Sequence, residues 1–313
     1  MPYSIIFFGT SDFSTPSLQA LITDARFSVK AVVTKPDMKV GRHQEVVEPP
    51  VKVMAKKNGI PVMQFESVKS AGSYETLKQV QSDDPIDVYV VVSYGMIIPQ
   101  NVLDLPKYGV INVHGSLLPK HRGASCVQSA IANGDKETGV TIMLMDKAMD
   151  HGPTLAQKST EIKVDDTGGM VHDRLACIGA VLLTDTLAGF IEHKIESIEQ
   201  DHNAATYCKI LKREDGKIDW SKSAAEIERL IRAYDPWPGT YTKKDGKRIK
   251  ILKTRILNSE LRTPNTDPGD WVIEGDQLKI TCGEGVLEVL ELQPEGKRRM
   301  SAKDFLAGNS FKK

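Results

Sequence analysis

The chain has 313 residues, 26% charged and 40% hydrophobic, with 24 Gly and 16 Pro, which excludes collagen-like and low-complexity classes. At about 150 residues per domain, that length predicts two domains, each able to bury a core. No run approaches the ~18 apolar residues of a membrane helix, and Met1-Pro2-Tyr3-Ser4 enters an apolar strand without a basic lead or cleavage site. The four cysteines (126, 177, 208 and 282) form no Cys-x-x-Cys pair, so neither a disulfide framework nor a metal site is expected, and the expected location is cytoplasmic.

Formal charges cancel over the whole chain but not along it. Residues 1–206 carry 19 Lys and Arg against 24 Asp and Glu, whereas residues 207–313 carry 22 against 17. Such an asymmetry points modestly to a polyanionic partner for the basic part; two solvated surfaces would give the same numbers.

The first two hundred residues alternate short apolar runs with helical patterns. Ile5–Phe8 ends at Gly9, a helix-like Ser17–Ala25 leads to a strand at Val29–Thr34, and Tyr74–Gln81 leads to Asp87–Val92. Val110–His114 follows, then a helix at Ser125–Asn133, a strand at Thr141–Met145 and a long helix near 169–192. Continuous apolar strands alternating with helices predict an α/β domain with a parallel sheet covered on both faces. Beyond residues 203–212 the pattern changes. Ser223-Ala224-Ala225-Glu226 reads as a capping box before Ile227, Leu230, Ile231 and Tyr234 on one helix face, and Pro236 ends that helix. Asp245-Gly246 marks a hairpin, and strands at 249–257, 271–274, 278–282 and 286–292 predict a small antiparallel barrel or sandwich. The division expected is 1–205 and 206–313.

Gly9-Thr10-Ser11-Asp12-Phe13 lacks the second and third glycines of a dinucleotide fingerprint, and no phosphate-binding Gly-x-x-x-x-Gly-Lys loop exists, which disfavours nicotinamide and P-loop chemistry. The informative stretch is 110–152. Asn112 and His114 stand two apart on an apolar strand and so share a face; they are either a locally satisfied pair or the start of a site. The loop Gly115–Gly123, bracketed by Gly and Pro, is expected to present backbone N–H and C=O groups to a planar heterocycle. Arg122 within it reads as an anion contact or a structural ion pair. Asp146 and Asp150 follow the strand at 141–145; Asp150, beside Gly152-Pro153, is the stronger candidate, meeting Asn112 and His114 if the strands run parallel. No serine or cysteine nucleophile has a suitable local setting. An amide, an imidazole and a carboxylate suit direct acyl transfer, with Asn and His stabilising an oxyanion and Asp managing a proton.

Those residues carry a resemblance. Asn112-Val113-His114-Gly115-Ser116-Leu117-Leu118-Pro119, Arg122-Gly123-Ala124, Gly134–Met143 and Met145-Asp146-x-x-x-Asp150-x-Gly152 resemble the methionyl-tRNA formyltransferase family, within the 10-formyltetrahydrofolate-using formyltransferases. Phe8–Phe13, Val91–Pro99, Ile218–Ser221, Pro236-Trp237-Pro238 and Leu292–Met300 extend the resemblance over nearly the whole chain. It implies a Rossmann-like formyltransferase domain followed by an OB-like barrel, 10-formyltetrahydrofolate as co-substrate without a metal, and initiator methionyl-tRNA as acceptor for a monomeric enzyme. The family's catalytic residues fall on Asn112, His114 and Asp150, and its folate contacts on Ser116, Leu117, Leu118 and Pro119. A flexible basic loop that meets the tRNA acceptor stem falls on 35–50, with Lys35, Lys39 and Arg42. The chain departs from the family pattern at His43, Gln44, Glu45 and Glu48 in that loop, and at Ala148 and His151 beside Asp150, where His151 is expected to bear on the carboxylate.

Two rivals remain from the sequence. One is formyl transfer to another amine, such as a sugar nucleotide or glycinamide ribotide; the other is a non-catalytic nucleotide- or RNA-binding module. Residues 243–255 hold seven Lys and Arg (243, 244, 247, 248, 250, 253 and 255) against Asp245 alone, so Lys244, Lys247, Arg248 and Lys250 are expected to contact tRNA phosphates. A binding module gives no reason for the Asn112, His114 and Asp150 set.

Overall fold

The structure, a computed structural model, describes residues 1–41, 44–83, 85–257 and 266–308. Met1–Cys126, Thr138–Thr160 and His172–Cys208 form one compact unit; Val127–Glu137, Glu161–Val171 and the chain from Lys209 onward form another. In chain order the elements are β1 (Tyr3–Gly9), α1 (Thr15–Thr23), β2 (Phe27–Thr34), β3 (Met38–Val40), β4 (Glu45–Val47), α2 (Pro50–Lys57), β5 (Val62–Gln64) and α3 (Ala71–Asp83). Then come β6 (Val88–Val92), α4 (Gln100–Leu103), β7 (Val110–His114), α5 (Cys126–Asn133), β8 (Glu137–Leu144), β9 (Thr154–Glu161) and α6 (Gly168–Ile191).

Seven strands form one sheet in the order β5-β2-β1-β6-β7-β8-β9. The pairs from β5 to β7 are all parallel. Every side chain from Ile5 to Phe8 and from Val88 to Val90 is fully buried, as expected of strands covered on both faces. Alternate residues Ile6, Phe8, Val33, Tyr89 and Val91 share one core cluster with Leu77 of α3 and Val102 of α4. Successive strands build outward from β1 through β2 and β5, and then on its other side through β6 and β7. That reversal makes a topological switch point, where open α/β sheets place ligands beyond the strands' carboxyl ends.

Two expectations are corrected. β8 runs antiparallel to β7, pairing Ile111 with Leu144 and His114 with Thr141, so the sheet is mostly rather than wholly parallel. A second concerns apolar runs. The helix α6 has an 18-residue window of mean hydropathy 1.6, long and apolar enough to span a membrane by length and composition. Half of that window is buried, with Leu175, Leu183 and Leu187 inaccessible, the signature of a core helix. A Cβ on Gly179 would lie 2.8 Å from Val113 Cγ1, so this glycine lets α6 approach β7 closely.

In the second unit, α7 (Ala224–Ala233) opens with the expected capping box: Ser223 Oγ accepts from Glu226 N, and Glu226 Oε2 accepts from Ser223 N at 3.1 Å. Behind it lie β10 (Thr240–Lys244), β11 (Lys247–Leu257), β12 (Trp271–Glu274), β13 (Gln277–Thr281), β14 (Val286–Pro294), β15 (Met300–Ser301) and α8 (Ala302–Ala307). The strands form one antiparallel sheet, β10-β11-β14-β13-β12, with β15 on β14. Asp245 and Gly246 both have positive φ (51° and 76°), the pairing a two-residue type I′ hairpin requires. Ile227 and Ile231 of α7 pack with Ile249, Ile251, Leu278, Ile280, Leu287 and Phe305.

Candidate active site

Strand β7 carries Asn112 and His114 on one face, one sheet position from the switch point. Asn112 is 9% exposed. Among the described residues no group hydrogen-bonds its side-chain amide. Its amide is not among the sealed polar atoms that lack a partner, so it keeps access to solvent at the strand's carboxyl end. His114, 6% exposed, donates from Nε2 to the carbonyl of His121 at 3.1 Å. Its Nδ1 lies 3.6 Å from Asp150 Oδ1, within ion-pair range but beyond a hydrogen bond.

The loop 115–123 is held from within. Thr141, opposite His114 on β8, donates to the Ser116 carbonyl (2.7 Å) and accepts from Leu118 N (3.1 Å). Gln157 of β9 donates to the Leu118 carbonyl and to Thr141 Oγ1. Ser116 Oγ donates to the Lys120 carbonyl at 2.6 Å. The expectation that this loop offers its peptide groups to a heterocycle is therefore not met at Ser116 and Leu118, which are buried and bonded internally. Leu117 and Pro119 remain half-buried.

Asp150 reaches His114 by a different route from parallel strands. Because β8 is antiparallel, the segment after Leu144 starts beside Val110, with Met145 N bonded to the Val110 carbonyl at 2.8 Å. It must fold back before β9, and Asp150 sits in the return with φ of 50°, a left-handed conformation that Asp and Asn tolerate better than most residues. Asp150 Oδ2 accepts from Gly123 N at 2.7 Å. Gly123 has φ of 108°, and a Cβ there would lie 2.5 Å from the Cys208 carbonyl, so the donor position admits only glycine. Asp146 points elsewhere: its Oδ2 lies 2.6 Å from His151 Nδ1. The His151 ring stacks on His202 at 4.0 Å. His151 thus engages Asp146 and His202 rather than Asp150.

Behind the return lies Arg122, 1% exposed, and neither the anion contact nor the ion pair read from the sequence. Its guanidinium donates to Gln200 Oε1 (3.2 and 2.7 Å), Tyr207 Oη (3.1 Å) and His202 Nδ1 (3.0 Å), all neutral acceptors. Gln200 Nε2 in turn donates to the carbonyls of Asp150 (3.0 Å) and Gly152 (2.7 Å). Arg122 and Gln200 are 78 positions apart, which is why sequence reading missed Gln200, Thr141 and Gln157.

A further surface was also missed. The loop Ser93–Pro99 follows β6, the strand between β1 and β7. It carries Ile97, 71% exposed, and among the described residues the backbone N–H groups of Gly95 to Ile98 make no backbone hydrogen bond. Tyr94 beneath it packs edge-on against Phe8 at 5.5 Å, and burial pushes its hydroxyl up to about 12.

Of the expected RNA contacts, Lys35 is half-buried over Gly95, and Lys39 is exposed on β3. Arg42 and His43 lie outside the described residues. The segment expected as a flexible loop contains the antiparallel β3–β4 hairpin, Met38 facing Val47. Lys244 stands 5.5 Å over the Trp271 ring, Arg248 stacks 3.5 Å over Tyr241, Lys247 is exposed and Lys250 half-buried.

The Formyl transferase family model matches residues 3–187, and that of the formyl transferase C-terminal domain matches residues 210–310. The methionyl-tRNA formyltransferase of Caldanaerobacter subterraneus is 44% identical over 98% of this chain and 97% of its own length. That of Geotalea daltonii is 44% identical over 97% and 95%. Among solved structures, WlaRD, a sugar 3N-formyl transferase, has a TM-score of 0.68 at 20% identity, covering 95% of this chain and all of that one. The N-formyltransferase of Helicobacter canadensis, in complex with folinic acid and dTDP-3-aminofucose, gives 0.67 at 20% over 96% and 100%; at such identity the likeness is one of fold. With both domain models matched and relatives this close along their full length, the chain belongs to the methionyl-tRNA formyltransferase family of formyl transferases.

Proposed function

We propose that this protein transfers the formyl group of 10-formyltetrahydrofolate to the amino group of methionyl initiator tRNA. Residues 1–205 carry the chemistry and residues 206–313 hold the RNA, in a cytoplasmic monomer. What supports the reading most is the 44% identity to methionyl-tRNA formyltransferases across 98% of the chain, joined to an amide with no protein partner beside an imidazole–carboxylate pair.

The residues fit a formyl-folate. Unbonded peptide groups and the exposed Ile97 in the loop after β6 suit the edge and face of a planar, amide-rich ring, with the Asn112 amide within the neighbouring strand. Leu117 and Pro119 supply further apolar surface. When bound, the folate supplies an activated formyl carbon. Asn112 donates to the formyl oxygen as it gains charge. With its Nε2–H held by the His121 carbonyl, His114 turns Nδ1 toward Asp150 and is placed to stabilise the same oxygen. Asp150 orients that imidazole and takes the proton lost by the attacking amine, while Gly123 N fixes its carboxylate; as the formyl C–N10 bond breaks, that proton passes to N10 of the departing tetrahydrofolate. Fixed donors at the site of charge development are the usual source of such rate enhancement.

The test is an acceptor panel with 10-formyltetrahydrofolate: charged initiator tRNA, free methionine, and an amino-sugar nucleotide. Formylation of charged tRNA is expected. Transfer to the sugar nucleotide alone would overturn the reading.

A further inference from the structure

The second unit holds a cleft of about 370 Å³ between the Pro236-Trp237-Pro238 turn, β11 and the end of β14. Its residues follow from strand register. Ile249 and Ile251 face the core, so Arg248 and Lys250 share the opposite face of β11. Tyr241 and Gln293 flank Lys250 on the neighbouring strands. Arg213 closes another side.

Two properties of this cleft stand out. Among the described residues no carboxylate pairs with the side chains of Arg213, Arg248 or Lys250. The single acid on the wall, Glu295, accepts instead from the backbone N of Arg248 at 3.4 Å. The buried Nε of Arg248 has no hydrogen-bond partner, and its guanidinium lies flat on Tyr241, 3.5 Å from the ring centroid. Secondly, Trp237 on the rim is 48% exposed, a large aromatic surface left to solvent beside three unpaired cations.

A planar aromatic group next to uncompensated cations is the complement of a nucleoside phosphate. We propose that this cleft binds one unpaired nucleotide of an RNA, its base on Trp237 and its phosphates between Arg213, Arg248 and Lys250. An RNA is favoured over a free nucleotide because Lys243, opposite Arg248 in register and on the same face, continues the positive track toward the hairpin's turn, giving the next phosphate a place. The proposal deepens the tRNA reading and rests on it, naming where an extruded or single-stranded nucleotide is held.

The test is tRNA binding as a function of salt, with tryptophan emission as a second signal. Trp237→Ala is expected to weaken tRNA at least ~10-fold, the scale of one lost stacking contact, with the salt slope unchanged. Arg248→Ala is expected to make the slope shallower by about 0.7–0.9, the value of one phosphate contact. Trp237→Phe should restore much of the affinity yet remove most of the quenching on tRNA addition, because Trp220 and Trp271 do not line the cleft. General damage to the domain would instead move affinity and slope together and would not be rescued by Phe. Unaltered tRNA affinity in Trp237→Ala, with charged tRNA still formylated by the wild-type protein, overturns the cleft and leaves the catalytic reading standing. No transfer by the wild-type protein overturns that reading instead. Displacement of tRNA by micromolar adenosine monophosphate would reject RNA in favour of a free nucleotide.

Discussion

Asn112→Ala removes a side-chain donor that no described protein group engages, so its effect should fall on turnover. Loss of such a donor typically costs ~10²–10³ in rate, and folate binding by titration should persist; near-normal turnover would remove Asn112 from the chemistry. Asp150→Asn should cost ~10²–10⁴, the range of a general base. Asp146→Asn should cost far less, since Asp146 engages His151 instead of His114. If the ranking of the two aspartates in single-turnover assays is reversed, the assignment fails. Gln200→Ala tests the support behind the site. It frees the Asp150 and Gly152 carbonyls and takes an acceptor from a buried cation, at a cost of about 1–3 kcal/mol in stability. Its kcat should fall although Gln200 is buried behind the Asp150 turn, and Gln200→Glu, which keeps an acceptor for Arg122 but loses the donor to both carbonyls, should not restore kcat. Recovery in Gln200→Glu would show that the role of Gln200 is toward Arg122 alone.

At the scale of elements, the β3–β4 hairpin is tied down by charge. Lys52 on α2 donates to both carboxylate oxygens of Asp37 (2.8 and 2.7 Å) and to Gln64, and lies 3.0 Å from Glu48, which Lys56 also contacts. The Lys52 ammonium holds the Asp37 carboxyl below the usual carboxylate range, Lys56 and then Lys52 do the same to Glu48, and Asp37 raises Lys52. Depressed carboxylates stabilise above their ordinary values, and that contribution disappears as pH falls through the lowered ones; a raised lysine stabilises below its ordinary value and ceases as pH climbs past it. The anchor should therefore be constant from about pH 5 to 10. Hydrogen exchange of β3 and β4, corrected for intrinsic rates, should show protection falling only outside that window; a loss near pH 6–7 would exclude these ion pairs as the anchor. Which elements the sequence reveals follows from the same local physics. β1, β6 and β7 announce themselves because both faces are apolar. β9 (Thr-Leu-Ala-Gln-Lys-Ser-Thr-Glu) does not, since an edge strand keeps polar residues on its open face, and β3 and β4 are three residues each. The direction of β8 is invisible in its composition, because a buried apolar run reads the same whichever way it runs. Turn chemistry at Gly152-Pro153 singles out Asp150 locally, whereas Gln200 enters only through a contact across 50 residues.

For the molecule as a whole, the excess of five positive charges after residue 206 predicts how binding responds to salt. Neutralising Lys244, Lys247, Arg248 and Lys250 together should flatten the log–log salt dependence of tRNA binding by up to about 3–4, at ~0.9 per contact on a duplex. Transfer to a small amine acceptor should change little, because none of the four lies on the sheet that carries Asn112. A full slope in the quadruple variant would remove this face from the RNA interface. The acidic balance of residues 1–206, at −5, gives that part no long-range pull on a polyanion, so encounter with RNA should be steered by the basic part.

The left-handed backbone at Asp150 (φ 50°) has a practical corollary. Asparagine is at least as comfortable there as aspartate, and it retains an oxygen for the Gly123 N–H. The substitution that removes the proposed proton acceptor is thus also the one the chain accommodates most readily. Asp150→Asn should melt within a degree or two of the parent while holding both substrates without consuming them. This makes it the variant of choice for capturing a stalled ternary assembly, and since every aspartate codon is one base from an asparagine codon, a single base change is enough to turn the protein into a competitor for its own substrates.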